Sequence, residues 1–234
     1  MRLDNFLVSE GFVDSRNKAQ ELIKDKKVFV DDKIVVKSSF KIDTQKVRIV
    51  SDKLYVSRAA LKLKSFLPLL PFTCKGMRAL DIGSSTGGFT EVLLEEEVLH
   101  VDAVDVGKEQ LHVSLKEDKR VTSYEQTDIR KFHSDRRYDI VTSDVSFISL
   151  SHILDDVERL ADEWIILLFK PQFEVGREVK RDNNGVVKDE KAIAKAMMGF
   201  EDTCKIRGWK LIAKEEAHIR GKEGNIEYCY CYKK

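Results

Sequence analysis

The chain has 234 residues, 42% hydrophobic and 35% charged, with 12 glycines and only 3 prolines, a composition that excludes collagen-like, low-complexity and disordered polymers. Its length allows one ordinary domain plus a small one, and no apolar run approaches the roughly 20 residues of a bilayer span or forms the core of a signal peptide, so a cytoplasmic protein is expected. The net charge of +1 divides unevenly, with residues 1–64 carrying +6 and the remainder -5, a basic head on an acidic body that suits a polyanionic partner.

In chain order, Phe6, Leu7 and Val8 suggest a short helix over Asp4 to Glu10 that stops at Gly11. Asp14 or Ser15 can cap a second helix with Ala19, Leu22 and Ile23 on one face and Arg16, Lys18 and Lys24 on the other. Val28-Phe29-Val30 and Ile34-Val35-Val36, joined by Asp31-Asp32-Lys33, form a hairpin signal, and Val47 to Val50 is a third short strand. The first domain is placed at 1–52, with 53–57 as linker and 58–234 as the second domain. There the pattern changes to a helical segment from Arg58 to Leu70, made irregular by Pro68, followed by β-like runs at Met77 to Ile82, Val101 to Val106, Tyr138 to Val141 and Trp164 to Phe169. Helical segments between them, Phe89 to Glu96 and Leu150 to Leu160, give the βαβ alternation of a parallel sheet covered on both faces, an α/β Rossmann-like fold. A helix over Asp189 to Arg207 and strands over Trp209 to Ala213 and Glu227 to Tyr232 finish the chain. The polar segment Gly176 to Gly185 reads as a mobile loop whose Lys180 and Arg181, with Lys188 beyond it, are RNA contacts or merely solvated charges.

Arg2-Leu3-Asp4, Ser15-Arg16-Asn17-Lys18-Ala19 and Lys27-Val28-Phe29-Val30-Asp31-Asp32-Lys33 make the first domain resemble the small RNA-binding domain named after the fourth protein of the small ribosomal subunit. The resemblance implies a basic face, with Arg2, Arg16, Lys18, Lys26 and Lys27, joined by Arg58, turned towards structured RNA recognised by shape and backbone.

After the strand Ala79-Leu80-Asp81-Ile82 stands Gly83-Ser84-Ser85-Thr86-Gly87-Gly88-Phe89, where glycines permit a tight strand-to-helix turn and close approach of a ligand. The loop lacks the Gly-Lys-Ser/Thr ending of a phosphate-binding P-loop, and Ser85 replaces the second glycine of the dinucleotide fingerprint. Asp105 ends the next strand, where a carboxylate can accept bonds from ribose hydroxyls, and Asp128 follows the run after that. Together these resemble the S-adenosylmethionine site of Rossmann-like methyltransferases. By that resemblance Asp81 and Gly83, Ser84, Ser85, Thr86, Gly87, Gly88 and Phe89 belong to the cofactor site, with the loop against the amino-acid part, Asp105 at the ribose and Asp128 at the adenine amine.

Polar residues close three strand ends: Asp144 in Thr142-Ser143-Asp144-Val145-Ser146-Phe147, Lys170 in Phe169-Lys170-Pro171-Gln172-Phe173-Glu174, and Glu227 in Gly224-Asn225-Ile226-Glu227. With Lys62 in Ser57-Arg58-Ala59-Ala60-Leu61-Lys62, their order resembles the lysine-aspartate-lysine-glutamate tetrad of the FtsJ-type ribose 2′-O-methyltransferases. With the RNA-binding domain in front, the chain is similar over nearly its whole length to the TlyA family, historically called haemolysins. The resemblance implies 2′-O-methylation of a cytidine in ribosomal RNA of the small subunit, the large one or both, and an influence on susceptibility to ribosome-binding peptide antibiotics. Ribose hydroxyls are poor nucleophiles near neutral pH, so the site must orient the hydroxyl and assist its proton loss. Two assignments fit: Lys170 as general base with Lys62 and Glu227 orienting, or Lys170 kept positive to stabilise alkoxide charge while Asp144 or solvent takes the proton.

Other readings compete. Asp144-Val145-Ser146-Phe147 faintly resembles the acid-x-x-aromatic motif of base amino-methyltransferases, but that chemistry requires neither Lys62 nor Lys170 and the usual proline is absent. A pseudouridine synthase would leave the glycine loop unexplained, and a bare RNA-binding module the tetrad. A membrane-active haemolysin would need a spanning or broad-faced amphipathic helix. The five histidines lack ligand spacing, so no metal is expected; Cys74, Cys204, Cys229 and Cys231 read as reduced thiols, with the last two packing along a strand. No protein partner is predicted, and the oligomeric state is not readable.

Overall fold

The computed structural model describes residues 1–13, 15–50 and 55–234, which fall into two compact units, Met1–Leu54 and Tyr55–Lys234. In the first unit, helix α1 (Leu3–Ser9) buries Leu3 and Leu7, one turn apart, and ends before Gly11, whose φ of +73° suits a residue without a Cβ. Helix α2 (Arg16–Lys24) starts at Ser15, whose hydroxyl accepts the Lys18 N–H, and buries Ala19, Leu22 and Ile23; Asp14, the other expected cap, lies outside the described residues. Strands β1 (Val28–Val30) and β2 (Lys33–Ile34) meet at Asp31-Asp32, both with positive φ as a two-residue hairpin demands. Strand β3 (Val47–Ile49) pairs on the other edge of β1, giving the order β2-β1-β3.

The second unit opens with α3 (Ala59–Phe66) and a 3-10 turn at Leu67–Leu69 where Pro68 stops the helix. There follow β4 (Arg78–Ile82), α4 (Gly88–Glu95), β5 (His100–Val104), the single turn α5 (Val113–Lys116), β6 (Val121–Tyr124), β7 (Tyr138–Ser143), α6 (Leu154–Leu160), β8 (Ala161–Phe169), α7 (Pro171–Glu174), α8 (Glu190–Ile206), β9 (Lys210–Glu216) and β10 (Tyr228–Lys233). The sheet runs β6-β5-β4-β7-β8-β10-β9. Alternation along the strands sends Ala79, Ile140, Ile166, Leu168, Cys229 and Cys231 into one core with α3 and α4, and Leu80, Val141, Ile165, Leu167, Tyr230 and Tyr232 into another with α6 and α8.

The all-parallel expectation fails at one strand. Strands β6, β5, β4, β7 and β8 are parallel, but β10 is antiparallel to both β8 and β9. The reason is the connection: residues 217–227 contain no helix, and a strand can return parallel only through a crossover of a dozen or more residues. The reversal matters for the site, because register Tyr228↔Phe169 puts Glu227, before the start of β10, beside Lys170, after the end of β8. Boundaries also shift: β2 is Lys33–Ile34 rather than 34–36, β5 ends at Val104 rather than Val106, β9 runs on to Glu216, β8 begins at Ala161 rather than Trp164, and the helix before it splits into a 3-10 turn at Leu150–His152 and α6.

The segment expected to be a mobile loop is bonded down. The Arg181 guanidinium donates to the carbonyls of Val179, Gln172 and Gly176, and Asn225 Oδ1 accepts the Val187 N–H at 3.0 Å. Lys188 is paired with Asp182 at 3.0 Å.

Candidate active site

The order of strands reverses between β4 and β7, since the chain leaves β4 towards β5 on one side and returns on the other, and open α/β sheets place their ligands at such a point. A cavity of about 370 Å³ lies there, walled by Ile82, Gly83, Ser85, Val104, Asp105, Asp128, Ile129, Asp144, Val145 and Phe147, among others. Of the residues expected at a cofactor, Gly83, Ser85, Asp105 and Asp128 reach it. Gly83 has φ +76°, and a Cβ there would meet Val145 at 3.1–3.2 Å, so glycine is what lets the β4 and β7 loops touch. The Asp105 carboxylate accepts the N–H groups of Ser85 at 2.8 Å and Gly107 at 2.7 Å, which ties the glycine loop to the end of β5. Asp128 is paired with Arg130 at 2.5 Å, and that guanidinium pulls its carboxyl down to about 2.

The other members of the expected set do not line the cavity. Asp81 is fully buried, accepting hydroxyl bonds from Thr90 at 2.7 Å and Thr142 at 3.0 Å. Burial pushes its carboxyl up to about 6, the Asp144 charge adding to the rise and the two hydroxyls opposing it. Thr86 accepts the His112 N–H through its carbonyl, and Gly87 is the left-handed residue that starts α4. Phe89 is core, and Ser84 is buried. Gly88 faces α3, where a Cβ would come within 2.9 Å of the Ala60 backbone nitrogen and closer still to Ser57 Oγ. Apart from the exposed Thr86, these residues are packed into the fold around the cavity rather than lining it.

Three residues of the expected tetrad, Asp144, Lys170 and Glu227, are placed by strand ends and Lys62 by a helix, and the four form two ion pairs. Lys62, in the middle of α3, is 2.5 Å from Glu227 Oε2, both nine-tenths buried or more. Lys170 is 2.5 Å from Asp144 Oδ1 and also within reach of the Ser146 hydroxyl at 2.7 Å and the Asp144 carbonyl at 3.3 Å. Gln172 links the pairs, following Lys170 by two residues and donating to Glu227 Oε1 at 3.3 Å. Burial without neutralisation is prohibitive for a lone charge, which accounts for each cation having its carboxylate. Burial pushes the thiol of Cys229, next to this cluster, up to about 12, so it is an unreactive neighbour.

Several residues at the site were not singled out by sequence. Gln110 lines the cavity, and its loop is held by Glu125, which accepts the N–H groups of Glu109, Gln110 and Leu111. Phe147, seen in the sequence only as part of a competing motif, is 88% exposed and adopts φ +69°, a left-handed conformation rare for a bulky residue. Gln172 stood in a quoted motif with no role. Nothing in a single sequence marks a loop residue as exposed or its backbone as strained.

In the first unit, Arg2 and Arg16, expected on an RNA face, converge on a carboxylate. Asp4 is fully buried and accepts Arg2 Nε at 2.9 Å, Arg2 Nη2 at 3.0 Å, Arg16 Nε at 2.9 Å and Gln20 Nε2 at 2.9 Å. These bonds hold its carboxyl well below the usual range, against its burial. The outer nitrogens of Arg16 remain towards solvent, as do Lys26 and, in part, Lys18 and Lys27. Arg58, in the second unit, caps α3 and reaches the Arg220 carbonyl at 3.4 Å. Among the described residues no helix is long and apolar enough to cross a membrane, and no three His, Cys, Asp or Glu side chains gather as a metal site.

Residues 55–234 match the FtsJ-like methyltransferase family and residues 1–54 the S4 domain. The chain is 46% identical to the 23S rRNA (cytidine-2′-O)-methyltransferase TlyA of Campylobacter jejuni, with 99% of each covered. It belongs to the TlyA family. A second TlyA relative, the 16S/23S rRNA (cytidine-2′-O)-methyltransferase of Mycobacterium tuberculosis, is 39% identical over 97% of this chain and 87% of that one. A solved structure described as a hemolysin, from Streptococcus thermophilus, superposes with a TM-score of 0.78 at 32% identity, covering 100% of this chain and 88% of the other. The TlyA domain plan, a small RNA-binding type of unit followed by an α/β methyltransferase unit, is the plan seen here.

Proposed function

We propose that this TlyA-family chain transfers a methyl group from S-adenosylmethionine to the 2′-hydroxyl of a cytidine in ribosomal RNA, acting in the cytoplasm. The observation that carries this reading is the pair of buried ion pairs, Lys62–Glu227 and Lys170–Asp144, with Asp144 itself on the cavity wall. The cavity fits the cofactor: apolar walls from Ile82, Val104, Ile129 and Val145 suit a purine ring, and the carboxylates of Asp105 and Asp128 on that wall would be acceptors for a ribose and an exocyclic amine. Bound there, S-adenosylmethionine would supply an already activated, sulfonium-bound methyl group. The protein's part is then to orient one hydroxyl and accept its proton.

Lys170 Nζ donates to the Ser146 hydroxyl and the Asp144 carbonyl and is in ion-pair contact with Asp144 Oδ1, so three oxygens surround it, as suits an ammonium. That geometry favours the electrostatic assignment: Lys170 meets the negative charge developing on the ribose oxygen, and the adjoining Asp144 carboxylate takes the proton. Lys62 and Glu227, with Gln172 fixing the carboxylate, orient the hydroxyl and the basic group. The exposed ring of Phe147, 5.5 Å from that of Phe173, offers a face on which an unstacked base can lie. The competing base-methylation reading gives no work to Lys62.

The test incubates labelled S-adenosylmethionine with separated ribosomal subunits lacking the modification, comparing wild type with Lys170→Ala. Alkali-resistant label from wild type alone, mapped to a cytidine, is expected, and identifies the subunit. Cofactor binding with no label on either subunit would overturn the ribosomal assignment. An altered response to ribosome-binding peptide antibiotics is expected to accompany loss of the methyl group.

A further inference from the structure

The loop from β7 to α6 carries Asp144, Ser146 and Phe147, and it is fastened to the segment after β8 at three points. Lys170 holds Asp144 and Ser146, and the Phe173 ring lies against Phe147. The third fastening is Glu174, the last residue of α7: its Oε2 accepts the Ser149 hydroxyl at 2.6 Å and its Oε1 the Leu150 N–H at 2.8 Å. Glu174 belongs neither to the tetrad nor to the cavity wall, so the chemistry proposed above does not account for it.

What it does account for is the loop's shape. Phe147 keeps a left-handed backbone and an 88% exposed ring, a strained conformation that persists only where the surrounding structure holds it. Lys170 holds the leading flank and Glu174 the trailing one. Ser149 also caps the 3-10 turn that leads into α6, so a single carboxylate fixes where the loop ends. Its own environment is unfavourable to charge, burial raising its carboxyl above the ordinary range although Ser149, Leu150 and His152 work the other way.

We propose that Glu174 is a positioning residue, which clasps the 144–150 loop to the 170–174 segment and thereby sets the place at which Phe147 receives the RNA. The inference rests on the proposed function only in naming RNA as what is received; the clasp itself is a property of the free protein.

The test uses the full chain with Glu174→Ala and Glu174→Gln. In amide hydrogen exchange without RNA, the peptide spanning 144–152 is expected to exchange about tenfold faster in Glu174→Ala, with β8 and α8 unchanged. Glutamine keeps an oxygen for Leu150 N–H and an amide for Ser149, so Glu174→Gln is expected to stay within about twofold of wild type. In methyl transfer, Glu174→Ala is expected to raise KM for the RNA about tenfold while kcat changes less than about threefold, because Lys170 still holds Asp144. Unchanged exchange in the loop, faster exchange spread evenly over the unit, or a kcat loss without a KM change each overturns the assignment. A wild type that methylates no RNA overturns the proposed function instead, and the exchange data alone then decide the clasp.

Discussion

At Lys62 and Glu227 two opposite charges leave water together, and the cost of separating them is the sharpest residue-level consequence of the site. Removing one partner from a buried pair costs about 3–5 kcal/mol, whereas replacing both with apolar side chains of similar volume is often neutral. Lys62→Met and Glu227→Leu are therefore each expected to destabilise the second unit by that amount in urea unfolding, and the double variant to recover most of it while remaining inactive. Additive losses would mean that the pair is not coupled. At Asp81 the sign with pH is set by its raised carboxyl. With a native value of about 6 against an ordinary 3.8, the folded state binds the extra proton, so this residue's contribution is full below about pH 4 and is lost as pH rises through 6. Relative to Asp81→Asn, wild-type stability is expected to fall by roughly 3 kcal/mol across that window, and a flat difference in pH-resolved unfolding would contradict the assignment. The tetrad was legible in the sequence through the resemblance of its order to the FtsJ-type lysine-aspartate-lysine-glutamate set, since a lysine or carboxylate at a strand end taken singly reads as a solvated charge. The depth of Asp81 was not, since Thr90 and Thr142 become its neighbours only once α4 and β7 fold against β4.

Among the elements, α3 and α4 touch through Gly88, and Lys62 rides on α3. Any side chain at position 88 must push against the Ala60 backbone, so Gly88→Ala is expected to cost about 1–3 kcal/mol and to lower methyl transfer by moving Lys62, with no change in RNA binding. A filter-binding and kinetic comparison with wild type separates the two effects. In the first unit, α1 and α2 are joined by the Asp4 clamp, which divides the basic residues into two kinds. Each of Lys18→Ala, Lys26→Ala and Lys27→Ala is expected to reduce the salt slope of RNA binding by about 1 without destabilising the unit. Arg16→Ala is expected to destabilise it as well, and more so towards higher pH, because the stabilisation of ionised Asp4 is present above its ordinary range and lost in acid. Helices with caps and alternating strands were legible from Ser15, Gly11 and the Cys229 to Tyr232 alternation. The direction of β10 was not, because strand polarity depends on what the connection contains rather than on the strand's own residues.

For the whole molecule, the change from a basic hairpin pattern to βαβ alternation made the two-part organisation readable, since each unit buries its own apolar set. The geometry between loops was beyond it: Gln110, Phe147 and Glu174 owe their places to contacts with distant segments. The two ion pairs differ in this respect too. Lys170 and Asp144 lie 26 residues apart, whereas Lys62 and Glu227 close a loop of 165. Distant contacts form late, because their loop-closure entropy must be met first, and a unit of this size passes readily through partly ordered states. On dilution from urea, the cavity, whose walls all lie between residues 82 and 148, is expected to regain cofactor affinity in an earlier phase than the one that restores turnover. Double-jump refolding with both readouts would reveal a transient species that holds its cofactor but cannot yet spend it, so that catalytic competence itself serves as the clock for the last step of folding.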